Sequence, residues 1–187
     1  MVEMEKEITT HMSITFKKLG IDDLPILHKW LNLPHVHEWY DKDKENSLEA
    51  VTKRYAPKIR GEKPTDCYLA FYENKPFAYV QTYKVNDWPE FGDHVGYDDF
   101  TASVDLFIGE KKHLSKGLGK VLLKKFLSEI IFTNTSATNT CIIGPEPSNE
   151  RAIHVYKSVG FKHVKDVLIP GEDAETYIME VKRDEFR

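Results

Sequence analysis

Apolar and polar residues alternate with a period of two in seven short segments of this chain and recur with a helical period in four others. The segments with a period of two predict strands over residues 13–19, 67–72, 76–83, 102–108, 140–143, 161–168 and 175–181. The helical spacing predicts helices over residues 22–33, 48–59, 117–132 and 148–159. Residues 86–99 are predicted to form a long surface loop that is rich in acidic and aromatic side chains. The chain is therefore expected to be an α+β protein.

The stretch VDLFIGEKKHLSKGLGKV, residues 104–121, joins a predicted strand to a predicted helix through a basic loop. A helix N-terminus presents unpaired N–H groups and the positive end of its dipole, which together favour an anion such as a phosphate. Gly117 and Gly119 let a ligand approach the backbone closely, and Lys112, Lys116 and Lys120 add positive charge. Taken alone, the loop is also compatible with an ordinary helix start on a basic surface.

The stretch PEPSNERAIHVYKSVGF, residues 145–161, contains an N-cap at Ser148 or Asn149 and a helix that stops at Gly160. Together the two stretches resemble the acetyl-CoA-dependent N-acyltransferases of the GNAT superfamily. In that family a Q/R-x-x-G-x-G/A loop binds the cofactor pyrophosphate, and an N-x-x-A-x-x-x-Y-x-x-x-G-F segment makes a second cofactor contact. This chain has Leu114 where the loop usually has Gln or Arg. It matches the second motif at Asn149, Ala152, Tyr156, Gly160 and Phe161.

The resemblance implies a GNAT fold, with a mixed central sheet, flanking helices and a splayed pair of parallel strands at residues 102–108 and 140–143. In this fold the pantetheine arm of the cofactor pairs with the exposed edge of the first of these strands. The implied co-substrate is acetyl-CoA. The residues that the resemblance places on it are Leu106, Phe107, Ile108, His113, Leu114, Ser115, Lys116, Gly117, Leu118, Gly119, Lys120, Asn149, Ala152 and Tyr156.

Three further motifs resemble one branch of the superfamily, the aminoglycoside 6′-N-acetyltransferases of antibiotic resistance. They are WLN followed by HVHEWY within residues 30–40, AYVQTY at 78–83, and SVDLFI at 103–108. The resemblance extends from about residue 14 to residue 179. It implies acetyl transfer from acetyl-CoA to the 6′-amino group of an aminoglycoside, by direct attack in a ternary complex.

Asp105 and Tyr156 are the predicted catalytic residues. A carboxylate inside an apolar strand is costly to bury unless it has a partner or a task, and alternation places Asp105 on one face with Ser103 and Phe107. The resemblance implies that Asp105 binds the reacting amine and helps to remove its proton, and that Tyr156 protonates the leaving CoA thiolate. The alternatives are a strand acid paired with a lysine or a helix N-terminus, and a tyrosine that only packs in the core.

An aminoglycoside is a polycation, so its site needs carboxylates and flat aromatic faces. The predicted substrate-binding residues are Glu38, Trp39, Tyr40, Gln81, Tyr83, Asp87, Asp105, Glu146 and Glu172. Glu146 is expected to replace an aspartate that the family has just before its P-S-P-S-N segment. The alternative is that these acid-rich loops only reflect the net charge of −4.

Composition narrows the expected partners and compartment. The 187 residues suit one domain, predicted at 13–187, with residues 1–12 as a loose extension. The 26 basic and 30 acidic residues argue against nucleic acid as the main partner. The absence of a membrane-length apolar run or signal-peptide pattern, and two cysteines without metal-like spacing, indicate a reduced cytoplasmic protein. His35 and His37 have no evident third ligand, so no metal is predicted. A monomer or homodimer is expected.

Other functions remain compatible with the sequence. A related acyltransferase of siderophore biosynthesis would typically have a histidine where this chain has Asp105. An enzyme that acylates another small amine, or an N-terminal or lysine residue of a protein, is a second alternative. A non-catalytic protein that binds acetyl-CoA or an aminoglycoside is a third, of a different class.

Overall fold

A computed structural model describes residues 13–133, 136–172 and 174–186. The strands are β1 (Ile14–Lys18), β2 (Asp66–Tyr72), β3 (Lys75–Lys84), β4 (Thr101–Ile108), β5 (Thr140–Ile143), β6 (Lys162–Val167) and β7 (Thr176–Lys182). The helices are α1 (Leu24–Leu31), α2 (Pro34–His37), α3 (Leu48–Ile59), α4 (Pro89–Val95), α5 (Leu118–Phe126) and α6 (Glu150–Val159). The predicted extension at residues 1–12 lies outside the described residues.

One mixed sheet of seven strands organises these elements in the order β1-β2-β3-β4-β5-β7-β6. The pair β4 and β5 is parallel, and the other neighbouring strands are antiparallel. The apolar residues of α5 and α6 pack on one face of the sheet, and those of α1 and α3 pack on the other. The predicted α+β class and mixed sheet with flanking helices are confirmed.

The strand β4 contributes to both cores because alternate side chains of a strand point to opposite faces. Val104 lies in the core beneath α5, whereas Phe107 lies in the core beneath α1 and α3. Asp105 has the same parity as Phe107, so its side chain belongs to the α1 and α3 face, as alternation predicts.

The parallel pair β4 and β5 separates after three residues. Thr101 pairs with Thr140 and the register ends at Ser103 opposite Ile142, whereas β3 stays paired with β4 as far as Ile108. The backbone of residues 104–108 therefore has one edge that no strand of the described chain covers. The splayed pair predicted from the resemblance is confirmed.

Three segments differ from the prediction. The predicted helix over 117–132 is α-helical only to Phe126 and ends in a wider π turn, Leu127–Ile131. The predicted loop over 86–99 contains α4, which begins at Pro89 and is capped at its C-terminus by Gly96, with φ of 66°. Proline at the first position and a left-handed glycine at the end are local helix signals, but a helix this short shows no clear apolar period. The helix α2 was not predicted either, because it is also too short to show an apolar period. No helix of the described residues is long and apolar enough to span a membrane.

Candidate active site

A cleft of about 2100 Å³ opens where β4 and β5 separate. Sites for one small molecule usually measure about 300–1,000 Å³, so this cleft has room for two ligands side by side. The predicted acceptor residues on its wall are Glu38, Trp39, Tyr40, Gln81, Tyr83, Asp105, Glu146 and Glu172. The predicted cofactor residues on its wall are Leu106, Phe107, Ile108, Leu114, Ser115, Gly117, Gly119, Lys120, Asn149, Ala152 and Tyr156.

Four predicted residues lie outside the wall of this cleft. Leu118 begins α5 with its side chain buried in the core, so only its backbone can face a ligand. His113 packs its ring edge-on against Tyr72 and Phe77, at centroid distances of 5.4 and 5.6 Å. Lys116 is exposed to solvent. Asp87 is exposed in the turn before α4, and the same segment instead directs Trp88, Glu90, Phe91 and His94 to the cleft.

The N-terminus of α5 forms a candidate anion site at one end of the cleft. Gly117 takes the left-handed conformation, with φ of 75°, and precedes the first helical residue. Ser115, also left-handed with φ of 60°, accepts a hydrogen bond of 3.0 Å from Arg151 of α6. This contact brings a guanidinium group to the N–H groups of the helix, which favours a phosphate at this position.

Asp105 lies on the cleft wall among the predicted acceptor residues, which we call the acceptor end. Its Oδ2 atom accepts a hydrogen bond of 2.7 Å from Nε2 of Gln81, the residue directly across on β3. Burial raises the pKa of the Asp105 carboxyl above its ordinary value, while the Gln81 hydrogen bond and the charge of Lys58 act to lower that pKa. Gln81, a predicted substrate-binding residue, lines the cleft and also holds Asp105 through its amide nitrogen.

Lys58 and Tyr79 are two site residues that the sequence did not reveal. The side-chain oxygen of Gln81 accepts hydrogen bonds from Lys58 Nζ at 3.0 Å and from the Tyr79 hydroxyl at 2.9 Å. A signal was available for Lys58, because it follows the buried residues Val51 and Tyr55 at seven and three positions on α3. A lysine on the core-facing side of a helix must lose part of its hydration, so its presence there indicates a functional role.

The loop after α2 adds another carboxylate that the sequence did not single out. Asp41 adopts φ of 50°, accepts a hydrogen bond of 3.0 Å from the Tyr55 hydroxyl and forms an ion pair of 3.1 Å with Arg54. The next residue of the loop, Lys42, forms an ion pair with Glu146 across the cleft. Glu146 therefore faces the acceptor end, but in this state it is neutralised by a lysine of the opposite wall.

Tyr156 enters the cleft from α6, whose start is fixed by a local cap. Asn149 Oδ1 accepts a hydrogen bond of 3.1 Å from the Ala152 amide, and the Asn149 side-chain NH₂ group can still donate to a ligand. Burial, and then the charge of Asp105, raise the pKa of the Tyr156 phenol well above its ordinary value. Tyr156 is thus protonated throughout the neutral range. Its hydroxyl makes no hydrogen bond to any described residue, so it can donate to a ligand.

The two histidines considered as metal ligands have separate partners. His35 Nε2 lies 3.1 Å from the carbonyl of Ile108, and His37 Nδ1 lies 3.3 Å from the Asn46 amide. Over residues 13–133, 136–172 and 174–186 there is no group of three His, Cys, Asp or Glu side chains that could hold a metal ion.

Comparison with known proteins gives concordant matches. The chain matches the family model of the acetyltransferase (GNAT) domain over residues 21–169. It is 27% identical over 172 residues to the aminoglycoside N(6′)-acetyltransferases type 1 of Klebsiella pneumoniae and Serratia marcescens, covering 91% of this chain and 84% of theirs. The structure of aminoglycoside acetyltransferase AAC(6′)-Ib with coenzyme A has a TM-score of 0.83 and 27% identity, covering 92% of this chain and 96% of that one. The structure with coenzyme A and kanamycin gives 0.82, with the same identity and coverage.

Proposed function

The chain belongs to the GNAT family of acetyltransferases, and from that premise we propose that it transfers the acetyl group of acetyl-CoA to the 6′-amino group of aminoglycosides. The observation that carries the proposal is Asp105, held by Gln81 at the acceptor end of a cleft that also contains the start of α5, a candidate anion site. Relatives that are 27% identical over 91% of this chain carry the aminoglycoside 6′ name. Resistance to these antibiotics is the corresponding proposed role.

The cofactor end supports acetyl-CoA as the donor. The open edge of β4 at residues 104–108 offers backbone groups to the pantetheine arm, as an added strand would use them. The N–H groups at the start of α5, with Lys120 and Arg151 nearby, suit the pyrophosphate. The thioester would then lie between Asp105 and Tyr156.

The proposed chemistry is a direct transfer in a ternary complex. The Asp105 carboxylate accepts a hydrogen bond from the acceptor ammonium and helps to remove its proton, after which the amine attacks the thioester carbonyl. The N–C bond forms, the C–S bond breaks, and Tyr156 donates its phenol proton to the leaving sulfur. The nitrogen loses its second proton as the amide forms, and that proton restores the Tyr156 phenol. Backbone N–H groups of β4 are suited to hold the oxyanion of the tetrahedral intermediate. Both thiols, Cys67 and Cys141, are buried, which argues against a covalent acyl-cysteine step.

The acceptor end supports a cationic, sugar-like substrate. Its wall combines carboxylates with flat aromatic faces, namely Glu38, Asp41, Glu90 and Glu172 with Trp39, Tyr40, Trp88 and Phe91. Carboxylates bind ammonium groups, and aromatic faces cover the apolar faces of sugar rings. This composition favours a small polycationic amine over a neutral acceptor.

The direct test is CoA release from acetyl-CoA with a panel of acceptors. We expect turnover with kanamycin and tobramycin, and none with an aminoglycoside that has a hydroxyl at the 6′ position. A lysine peptide and spermidine test the alternatives of protein and polyamine acetylation. If acetyl-CoA binds but no aminoglycoside is acetylated, the family assignment stands and the proposed substrate is wrong.

Replacing Tyr156 with phenylalanine is expected to lower kcat by about 10–100-fold, the lower end of general acid catalysis. The effect is modest because the raised pKa of the buried phenol makes it a weak proton donor. The KM for acetyl-CoA should stay within about twofold, because the ring still packs beside Phe161. Steady-state kinetics checks this, and an unchanged kcat would remove Tyr156 from the proposed mechanism.

We also propose that residues 13–187 form one catalytic domain that works in the cytoplasm as a monomer or homodimer. In support, a single sheet connects every described strand, and the described helices include none suited to a membrane. Limited proteolysis should yield one resistant fragment that starts near residue 13. Size-exclusion chromatography with light scattering gives the oligomeric state.

A further inference from the structure

We propose that Lys58 is a positioning residue for Asp105, because its ammonium group orients the Gln81 amide that binds Asp105 and supplies a positive charge that favours the carboxylate form of Asp105. The kinetic consequences rest on the function proposed above. The electrostatic consequence concerns the protein alone and can be measured without an acceptor.

The Gln81 amide makes three side-chain contacts, two of which set its orientation. Two donors, Lys58 Nζ and the Tyr79 hydroxyl, approach its oxygen at 3.0 and 2.9 Å, and its nitrogen faces the Asp105 carboxylate at 2.7 Å. If the amide rotated by half a turn, its NH₂ group would face the Lys58 ammonium, which cannot accept a hydrogen bond, and its oxygen would face a carboxylate. The Tyr79 hydroxyl does not fix the orientation, because it can accept from an NH₂ group while it donates to Cys67 Sγ at 3.1 Å. Lys58 therefore stabilises the one orientation that lets Gln81 donate to Asp105.

The surroundings of Lys58 indicate that keeping its ammonium group charged costs free energy. Its Nζ atom lies 4.9 Å from the centre of the Tyr55 ring on the same helix. Burial lowers the pKa of Lys58, while Cys67, Asp105 and Asp41 act to raise it. An ammonium group on the acceptor wall also repels a cationic substrate. Both the desolvation of the Lys58 ammonium and its repulsion of a cationic substrate are unfavourable. The hydrogen bond to Gln81 gives Lys58 a function that can offset these costs.

The groups around Asp105 make Lys58 electrostatically important. On the sheet, its titratable neighbours are Tyr79 and Tyr83 of β3 and Cys141 of β5. From outside the sheet, Tyr40, Asp41, Tyr156, Glu172 and Lys58 interact electrostatically with Asp105. Burial raises the pKa of Asp105, and the charges of Asp41 and Glu172 act in the same direction, whereas the Gln81 hydrogen bond and the charge of Lys58 lower it. Removing the cation should therefore favour the protonated acid, which cannot accept a proton.

The test is the titration of Asp105 in the free protein, followed by ¹³C NMR of labelled aspartate carboxyls, with Asp105→Asn identifying the signal. In Lys58→Met the midpoint should move upward by about 1.5–2 pH units, the size expected for losing a unit charge one amide group away at an effective dielectric of about 20. Lys58→Gln keeps a donor for Gln81 without the charge and should move the midpoint similarly. Lys58→Arg keeps the charge and should stay near the wild type. Lys53→Met, on the exposed side of the same helix, is the matched control.

Two outcomes would overturn the inference: an Asp105 midpoint in Lys58→Met equal to that of the wild type, or an equal displacement in Lys58→Arg and Lys58→Met. If Lys58→Met does not fold, as judged by circular dichroism, the comparison of Lys58→Gln with Lys58→Arg decides the question. Both of those side chains are polar and differ chiefly in charge.

Kinetics adds a second readout that a merely structural lysine would not produce. In Lys58→Gln the acid limb of the kcat/KM profile should move upward with the Asp105 midpoint. On the plateau, KM for a polycationic acceptor should fall severalfold, because a repelling charge is gone. If the wild type acetylates no aminoglycoside, the proposed function fails while the titration still tests Lys58. If turnover is present and the Asp105 midpoint is insensitive to Lys58, the inference alone fails.

Discussion

Replacing Asp105 with asparagine is expected to lower kcat by about 10²–10⁴-fold while acetyl-CoA binding is retained. Asparagine has the shape of aspartate but cannot take a proton from the acceptor ammonium. Its side-chain oxygen can still accept the hydrogen bond from Gln81 Nε2, so the local geometry should persist. The cofactor end of the cleft lies on the open edge of β4 and the start of α5, which this substitution leaves intact.

Stability provides the internal control for this variant. The pKa of Asp105 is raised in the folded protein, so the fold favours the neutral form of this side chain. A neutral asparagine should therefore leave the melting temperature unchanged or raise it. Steady-state kinetics, calorimetric binding of acetyl-CoA and thermal unfolding together check the prediction, with Asp22→Asn on the exposed surface as the matched variant. Near wild-type turnover in Asp105→Asn would show that Asp105 does not take part in proton transfer, and the proposed mechanism would be wrong.

Replacing Gly109 with alanine is expected to destabilise the protein by about 3 kcal/mol, at the upper end of the usual cost of overpacking. A Cβ atom at this position would lie 2.1 Å from the nearest atom of the Trp30 ring. Trp30 has no room to give way, because it is fully buried and its indole N–H donates to Glu110 at 2.9 Å. Its ring also meets Phe107 edge-on at 6.3 Å.

The melting temperature of Gly109→Ala should fall by roughly 6–12 °C, given about 2–4 °C per kcal/mol for a chain of this size. Gly119→Ala is the matched control, because its Cβ would meet Val155 at an ordinary 3.7 Å and α5 gains helix propensity. We expect that variant to be unchanged or more stable by up to about 1 kcal/mol. Equal melting temperatures for the two variants would contradict the argument. A loss of activity in Gly109→Ala would be secondary, since Gly109 directly follows the strand that holds Asp105.

Much of the cofactor end was predictable, because it depends on local backbone geometry. The left-handed Gly117 before α5 and the capping Asn149 of α6 each have a residue type that their own conformation demands. The acid at position 105 stood out because a carboxylate conflicts with its apolar strand. A carboxylate in an apolar strand, or a residue type that a backbone conformation requires, can be recognised without knowledge of the tertiary packing.

The acceptor end was predicted less well. Asp87 and Trp88 are adjacent, yet only Trp88 lines the cleft, because the turn before the short helix α4 directs one side chain inward and leaves the other in solvent. Gln81 lines the cleft, as expected of a substrate-binding residue, but the sequence did not show that it also binds Asp105. The geometry of a loop or a hydrogen-bond network depends on neighbours that are distant in sequence.

By itself, the sequence determined the α+β fold, the two cofactor motifs and the identity of the acid on β4. The fold class follows from periodicity, and the acid is evident as a carboxylate in an apolar strand. The cofactor role of the two motifs follows from their resemblance to the GNAT superfamily. Only the tertiary structure decided which partners Asp105 has. The contact between Lys58 and Gln81 exists because α3 packs over β3, which brings together residues 23 positions apart. Long-range packing of this kind depends on the burial of large apolar surfaces, and it cannot be predicted from a local sequence pattern.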